Sequence, residues 1–395
     1  MHVLYVINQM TAHGGAEVSL REMLLGLQQA GVACTLQPLK DGTSEAAVER
    51  LSSAGVRVLP PIGSAGASAV PRLLRVLRDE RPDVLHTSLF EADLWGRLAA
   101  VVTRTPVVVS LVNTQYDASA YEAAASPRRL RVVQAVDGFM ARHLTTALHA
   151  ISESAATAAV SALAVSRARV VVVPRSRPLP SEATRTRLSK AAARERAGLP
   201  PEVPMILNVA RQEPQKGQEQ LVSAFARLSE RHPDVLLVIA GRPGAATPRL
   251  EALIAKFGLQ ARVLRLGART DVPDLLTSAD VFAFSSRWEG LGGSLLEAMA
   301  HRVPIVAFDI PPVRETTGGH AVLLPLDDVE GFAEAMRHVL EEPTTHDDDV
   351  DRARRRVEEQ YSPSQVVLRM AELYSRVAAT GRTRLDSSPP SRDLG

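Results

Sequence analysis

Apolar and polar positions alternate in blocks along the chain, and the blocks change period. Residues 3–8 form a short β-branched run, followed by a polar, glycine-containing loop at 9–17. From 16 to 30 the apolar positions Val18, Leu20, Met23, Leu24 and Leu27 fall at helical spacing, and Gly31 closes the segment. The alternation then repeats, with strands expected at 33–38, 56–59, 83–87, 106–112, 147–151 and 169–173 and helical stretches between them. Several of these strands hold continuous apolar runs, which predicts a parallel sheet covered on both faces.

The rhythm breaks at Arg175-Ser176-Arg177-Pro178-Leu179-Pro180-Ser181. A charged helical segment (185–197) and Pro200-Pro201 follow, and then a second alternation, with strands at 204–210, 235–240, 262–267, 281–285 and 304–308. Beyond Leu340 the pattern is helical: residues 347–360 are highly charged, and Ser362-Pro363-Ser364 caps a helix over 365–378. The expected organisation is α/β with two Rossmann-like domains. Residues 1–175 form the first, 176–202 a linker, 203–360 the second, 361–380 a helix crossing back to the first, and 381–395 a disordered tail.

Composition narrows the class. The 395 residues suffice for two cores, and 45% hydrophobic with 23% charged residues describes a soluble globular protein. A net charge of +2 is too mild for a nucleic-acid partner. The single cysteine, Cys34, excludes a disulfide framework and a thiolate metal site and points to a reduced cytoplasm. The first strand is too short for a signal peptide, and no apolar run reaches the ~18 residues that span a bilayer. Lysine occurs only at Lys40, Lys190, Lys216 and Lys256, so each is a departure from a strong arginine bias.

The candidate chemistry centres on residues 285–300, where an apolar strand enters and an apolar helix leaves. Glu289 and Glu297 bracket Gly290, Leu291, Gly292 and Gly293, so backbone amides at a helix start can approach an anion while carboxylates accept hydroxyls. That pairing suits a nucleotide sugar. Upstream, the strand at 204–210 delivers Arg211, and Lys216 stands just before the next helix. A guanidinium and an ammonium at the carboxyl end of a parallel sheet suit a diphosphate. No His/Glu spacing forms a metal site, and loop 9–17 lacks the glycine pattern of dinucleotide dehydrogenases.

Arg211-x4-Lys216-Gly217 followed by Glu289-x7-Glu297 resembles the retaining GT-B glycosyltransferases of family 4. The early Gly14-Gly15-Ala16-Glu17 loop and Leu275-x4-Asp280-Val281-Phe282 fit the same pattern, so the likeness covers residues 1–378. The resemblance implies two Rossmann-like domains facing across a cleft, with a nucleotide-sugar donor on the second and the acceptor on the first. It implies that Glu297 takes the ribose hydroxyls, that Glu289 holds the sugar near C3, and that Arg211 and Lys216 bind the diphosphate. Amides around Gly290, Leu291 and Gly292 would add to that cradle, with Gly14 and Gly15 closing over it. The implied reaction is transfer of a hexosyl-type group to an acceptor hydroxyl with retention, without cofactor or metal. The acceptor would be a glycan, a lipid-linked sugar or a small molecule. A catalytically silent binding protein and a sugar-nucleotide epimerase of the same fold are the alternatives.

Other features carry two readings. His86 and Asn113, at strand ends, touch the sugar or acceptor, or are satisfied by backbone. Val173-Pro174-Arg175-Ser176 stands where relatives have Pro-Asn-Gly, a change expected to alter hinge geometry more than chemistry. Asp347-Asp348-Asp349 lies in a late charged segment and does not read as a metal site. Residues 71–78 and Arg128-Arg129-Leu130-Arg131-Val132-Val133 with Arg142-His143 are basic and amphipathic. They contact anionic lipid headgroups at the inner membrane face or a lipid-diphosphate acceptor, or are solvated helix faces; neither segment shows an exposed aromatic, which favours the last.

Overall fold

The computed structural model describes residues 1–11, 15–63, 66–112, 116, 126–177, 180 and 189–386. The chain divides into two compact units, Met1–Ser176 with Pro363–Gly395, and Arg177–Ser362. In the first, β1 (His2–Ile7), β2 (Ala33–Pro38), β3 (Arg57–Val58), β4 (Val84–Ser88), β5 (Val107–Leu111), β6 (Ala147–Ala150) and β7 (Val170–Val172) form one sheet in the order β3-β2-β1-β4-β5-β6-β7. In the second, β8 (Met205–Val209), β9 (Leu236–Ala240), β10 (Val263–Gly267), β11 (Val281–Phe284), β12 (Ile305–Phe308) and β13 (Val322–Leu324) run β10-β9-β8-β11-β12-β13. The strand pairs in both sheets are parallel.

Each sheet is wound outward in both directions from a central pair, so strand order reverses between β1 and β4 and between β8 and β11. Loops leaving the carboxyl ends of such a pair diverge and leave a crevice, the usual ligand position in open α/β sheets. The core strands are buried along their whole length because helices cover both faces. Strand β13, three half-buried residues on β12, is not among the expected strands; Pro325 interrupts its apolar run.

The last helix, Pro363–Asp386, belongs to the first unit. Val366, Met370, Leu373, Tyr374 and Val377 form its buried stripe and join the core of Leu20, Leu24 and Leu27 on the helix Gly15–Gln29. Each such side chain contributes roughly 1.5–3 kcal/mol of burial. The helix runs through 381–386, which the sequence assigns to the tail; 387–395 lie outside the described residues.

Within the expected linker stands the helix Lys190–Ala197, part of the second unit. Buried Arg194 fixes it there, donating from Nη2 to Asp280 Oδ2 at 2.6 Å and from Nε to Ser278 O at 3.0 Å. Asp280 Oδ2 also accepts the amide of Met205 at 2.8 Å, tying this helix to the start of β8. Segment 181–188 lies outside the described residues.

Candidate active site

Neighbouring strands β8 and β11 release two loops from the carboxyl edge of the second sheet, at its order reversal. The β8 loop carries Arg211 and Lys216; the β11 loop carries Glu289 and leads into the helix Gly293–Ala300 with Glu297. The loops are stitched together. Ser285 Oγ donates to Lys216 O at 2.8 Å, Arg287 N to Gln215 O at 2.8 Å, and Gln215 Nε2 to Trp288 O at 2.7 Å. Gly217 makes the approach possible: it has φ +58°, and a Cβ there would lie 2.0 Å from Ser285 O.

Lys216 Nζ donates to Glu289 Oε1 at 2.5 Å, and both side chains are largely buried. Between Glu289 and the helix, Leu291 is packed inward and its carbonyl accepts Thr316 Oγ1 at 2.8 Å, which holds the loop against the fold. Gly292, at φ +87°, is the N-cap of the helix and supplies no side-chain cap, so the helix start keeps amide donors for a ligand. Glu297 sits in the second turn, where the backward tilt of helical side chains directs it toward that start. Arg211 is more than half exposed and meets Glu213 only at 3.9 Å. A loosely held guanidinium, an ammonium, a helix N-terminus and two carboxylates are thereby set around one sheet edge.

One charged neighbour is not among the residues that the sequence motifs single out. Arg177, the first residue of the second unit, is buried and donates from Nε to Glu297 Oε1 at 2.7 Å. Sequence alone gives no reason to connect 177 with 297.

His86 lies elsewhere. It is fully buried in the first unit, with Nδ1 2.6 Å from Tyr374 Oη and Nε2 2.7 Å from Ser110 Oγ. Ser110 Oγ is 2.9 Å from His149 Nδ1, and His149 Nε2 is 2.8 Å from Val173 O. A carbonyl only accepts, so His149 carries its proton on Nε2, and each later bond is then fixed in direction. Ser110 donates to His149, His86 donates to Ser110, and Tyr374 donates to His86. Both imidazoles are neutral, and neither nitrogen of His86 remains for a sugar. Burial lowers the pKa of both, helped for His86 by His149 and for each by Arg175; that of His149 falls to about 4.

Asn113 and Gly14 lie outside the described residues, and Gly15 opens the helix Gly15–Gln29 of the first unit. The acidic run 347–349 forms the first turn of the helix Asp347–Gln360, where carboxylates complement the helix dipole. Among the described residues no cluster of three or more His, Cys, Asp or Glu side chains could hold a metal ion.

Comparison with known proteins matches both units. Residues 189–357 fit the family described as glycosyl transferases group 1, and residues 14–176 fit the glycosyl transferase 4-like domain. The chain carries a glycosyl transferase 4-like domain followed by a group 1 glycosyl transferase domain. It is 32% identical over 161 residues to the lipopolysaccharide core biosynthesis mannosyltransferase LpsB of Rhizobium meliloti, covering 39% of this chain and 46% of that protein. It is 32% identical over 196 residues to an alpha-D-kanosaminyltransferase of Streptomyces kanamyceticus, covering 49% and 50%. The chain thus spans about half the length of these relatives. Over 68% of its length it is 26% identical to an Escherichia coli galactosyltransferase named for a GlcNAc-diphosphoundecaprenol acceptor. Anabaena Alr3699/HepE, solved in complex with UDP-glucose, superposes with a TM-score of 0.80 at 20% identity, covering 95% of this chain and all of that one. This likeness places the GT-B fold. No helix among the described residues is long and apolar enough to cross a membrane.

Proposed function

We propose that the edge between β8 and β11 binds the nucleotide diphosphate of an activated sugar, and that the protein transfers the hexosyl group to an acceptor hydroxyl with retention. The carrying observation is the Lys216–Glu289 ion pair beside a helix start without a side-chain cap. Lys216 exchanges part of its contact with Glu289 for the diphosphate, which frees the carboxylate for sugar hydroxyls near C3. Arg211 folds onto the same phosphates, and the amides after Gly292 complete the anion site. Glu297 accepts the ribose hydroxyls. In the reaction the bond from the anomeric carbon to the phosphate oxygen breaks, the acceptor oxygen bonds that carbon on the same face, and its proton passes to the departing phosphate. Arg211, Lys216 and the helix start take up the developing charge, so no divalent cation is required. The acceptor is a glycan, a lipid-linked sugar or a small molecule, the range that the relatives' names cover.

A panel of nucleotide sugars, with products followed by NMR, tests this reading. The expected outcome is an acceptor-dependent product of unchanged anomeric configuration whose formation survives EDTA. Activity lost to EDTA and restored by magnesium or manganese contradicts metal independence. Isotope exchange at the sugar's C2 without acceptor marks an epimerase, and nucleotide binding without turnover marks a silent binding protein.

The same proposal extends to an anionic membrane surface for the first unit. The helix Pro127–His143 exposes Val132 (64%), Val136 (43%) and Phe139 (55%) in one stripe, with Arg128, Arg129 and Arg131 at one end and Arg142 at the other. Its one acidic residue, Asp137, is turned inward onto Arg97 at 2.6 Å. Phe139 is an exposed aromatic between the two basic stretches of this helix. The helix Ala69–Glu80, with three arginines offset by Asp79 and Glu80, exposes no large apolar side chain and reads as a solvated face. Charge and apolar stripe together fit anionic lipid. The protein should sediment with anionic vesicles at moderate salt, and V136S/F139S should stay in the supernatant; wild type remaining there overturns the assignment.

A further inference from the structure

Segment 174–176 follows β7, and the structure shows where it leads. Arg177 follows directly, and its guanidinium rests on the first residue of the helix Gly293–Ala300: a Cβ at Gly293 would stand 2.2 Å from Arg177 Nη2. Glycine at 293 therefore makes room for a side chain that comes from 116 positions earlier in the sequence. Two positive partners, a guanidinium and a helix N-terminus, are placed together, and Glu297 is the carboxylate that answers them, at 2.7 Å from Nε. The bond engages Oε1, and Oε2 has no partner among the described residues. Arg177 is 7% exposed at its side chain against 27% for Glu297, so the arginine is the fixed member and the carboxylate the accessible one.

We propose that Arg177 is the positioning residue for nucleotide recognition in this protein: it holds the Glu297 carboxylate in one rotamer, with Oε2 turned to the ribose 2′- and 3′-hydroxyls. The inference rests on the donor-site reading above and adds to it the residue on which ribose recognition depends. A carboxylate on a long, otherwise free side chain samples several rotamers, and a charged hydrogen bond to a buried guanidinium selects one of them. Loss of that bond leaves the anion site of Lys216 and the helix start in place but blurs the reading of the sugar ring of the nucleotide.

The test is the ratio of affinities for UDP and 2′-deoxy-UDP, measured by calorimetry on the full chain, with ADP and GDP pairs alongside. Wild type should prefer the ribonucleotide about tenfold or more, the scale of one charged hydrogen bond. Arg177→Met should bring the ratio to within about threefold, chiefly by weakening the ribonucleotide. Arg177→Lys should restore part of the preference, and Arg177→Gln less. A variant that merely loosens the fold lowers both affinities together and leaves the ratio unchanged, which overturns the proposal. Should Arg177→Met not fold, the order Arg, Lys, Gln in the ratio decides the question in the same way. If wild type binds UDP without preferring it to the deoxy form, Glu297 does not read the ribose and the proposal fails. If wild type binds no nucleoside diphosphate at all, the donor-site reading falls first.

Discussion

In the second unit the strands on either side of the order reversal, β8 and β11, deliver Lys216 and Glu289 to a partly open edge, where they meet each other at 2.5 Å. In the first unit the strand in the corresponding place, β4, carries His86 inside the protein, bonded to Tyr374 of the last helix and to Ser110 of β5. The sheets share winding and parallel pairing, and both concentrate polar groups near the reversal. They differ in what covers those groups. At the second edge the loops are pinned to one another through Ser285 and Gln215, so the charged side chains stay at the rim. In the first unit the helix Pro363–Asp386 joins the core, and the polar groups become a closed relay of neutral hydrogen bonds. His86 is the middle residue of β4 and not its end, and a polar residue beside the reversal is a ligand contact or a structural tie according to what packs over it, which is a tertiary matter.

Acid should reveal the buried relay most strongly. The pKa of His149 falls from 6.5 to about 4 on folding, so the unfolded chain takes up a proton that the folded one refuses. The sign is that stability is fully present above pH 6.5 and is lost as pH falls toward 4. For this one residue the loss is about 3 kcal/mol. Denaturant unfolding of wild type at pH 7 and pH 4 should differ by about that much more than in His149→Asn. Equal pH dependence in the two would mean that the relay is open to solvent. At the other edge, Lys216→Ala or Arg211→Ala should reduce turnover of the nucleotide-sugar substrate about a hundredfold or more, the scale for one preorganised charge. Near-normal turnover in both variants would remove the functional half of the comparison. Tyr374→Phe is the mildest change. It leaves His86 Nδ1 buried without a donor and should cost about 1–2 kcal/mol in denaturant unfolding while nucleotide affinity holds. A matching fall in nucleotide affinity would show that the relay and the charged edge are not separate.

Much of this contrast was legible in the residues. Strands such as 235–240 and 281–285 announced themselves because buried parallel strands are apolar on both faces, and the order of Arg211, Lys216, Glu289 and Glu297 carried the family resemblance. Three features were not legible, for identifiable reasons. Strand β13 lies in an apolar run interrupted by Pro325, and a proline inside such a run argues against a strand. His86 looks the same in sequence whether Tyr374, 288 residues away, covers it or not. Arg177 stands in a stretch that reads as linker, and its pairing with Glu297 spans 120 positions. Phe139 belongs with these, because helical phase alone leaves open whether a neighbouring helix covers it. Local pattern reports local geometry; who packs against whom is decided by the fold.

The central claim, that the edge between β8 and β11 is a nucleotide-diphosphate site, is tested most directly by thermal unfolding of the full chain with UDP, ADP, GDP and their sugar conjugates. At a hundred times its dissociation constant a ligand of the folded state contributes about 2.7 kcal/mol. Wild type should therefore melt several degrees higher with at least one of these ligands, and Lys216→Ala and Glu297→Gln should each lose most of that rise. No rise with any nucleotide, or a rise that persists undiminished in both variants, would contradict the claim.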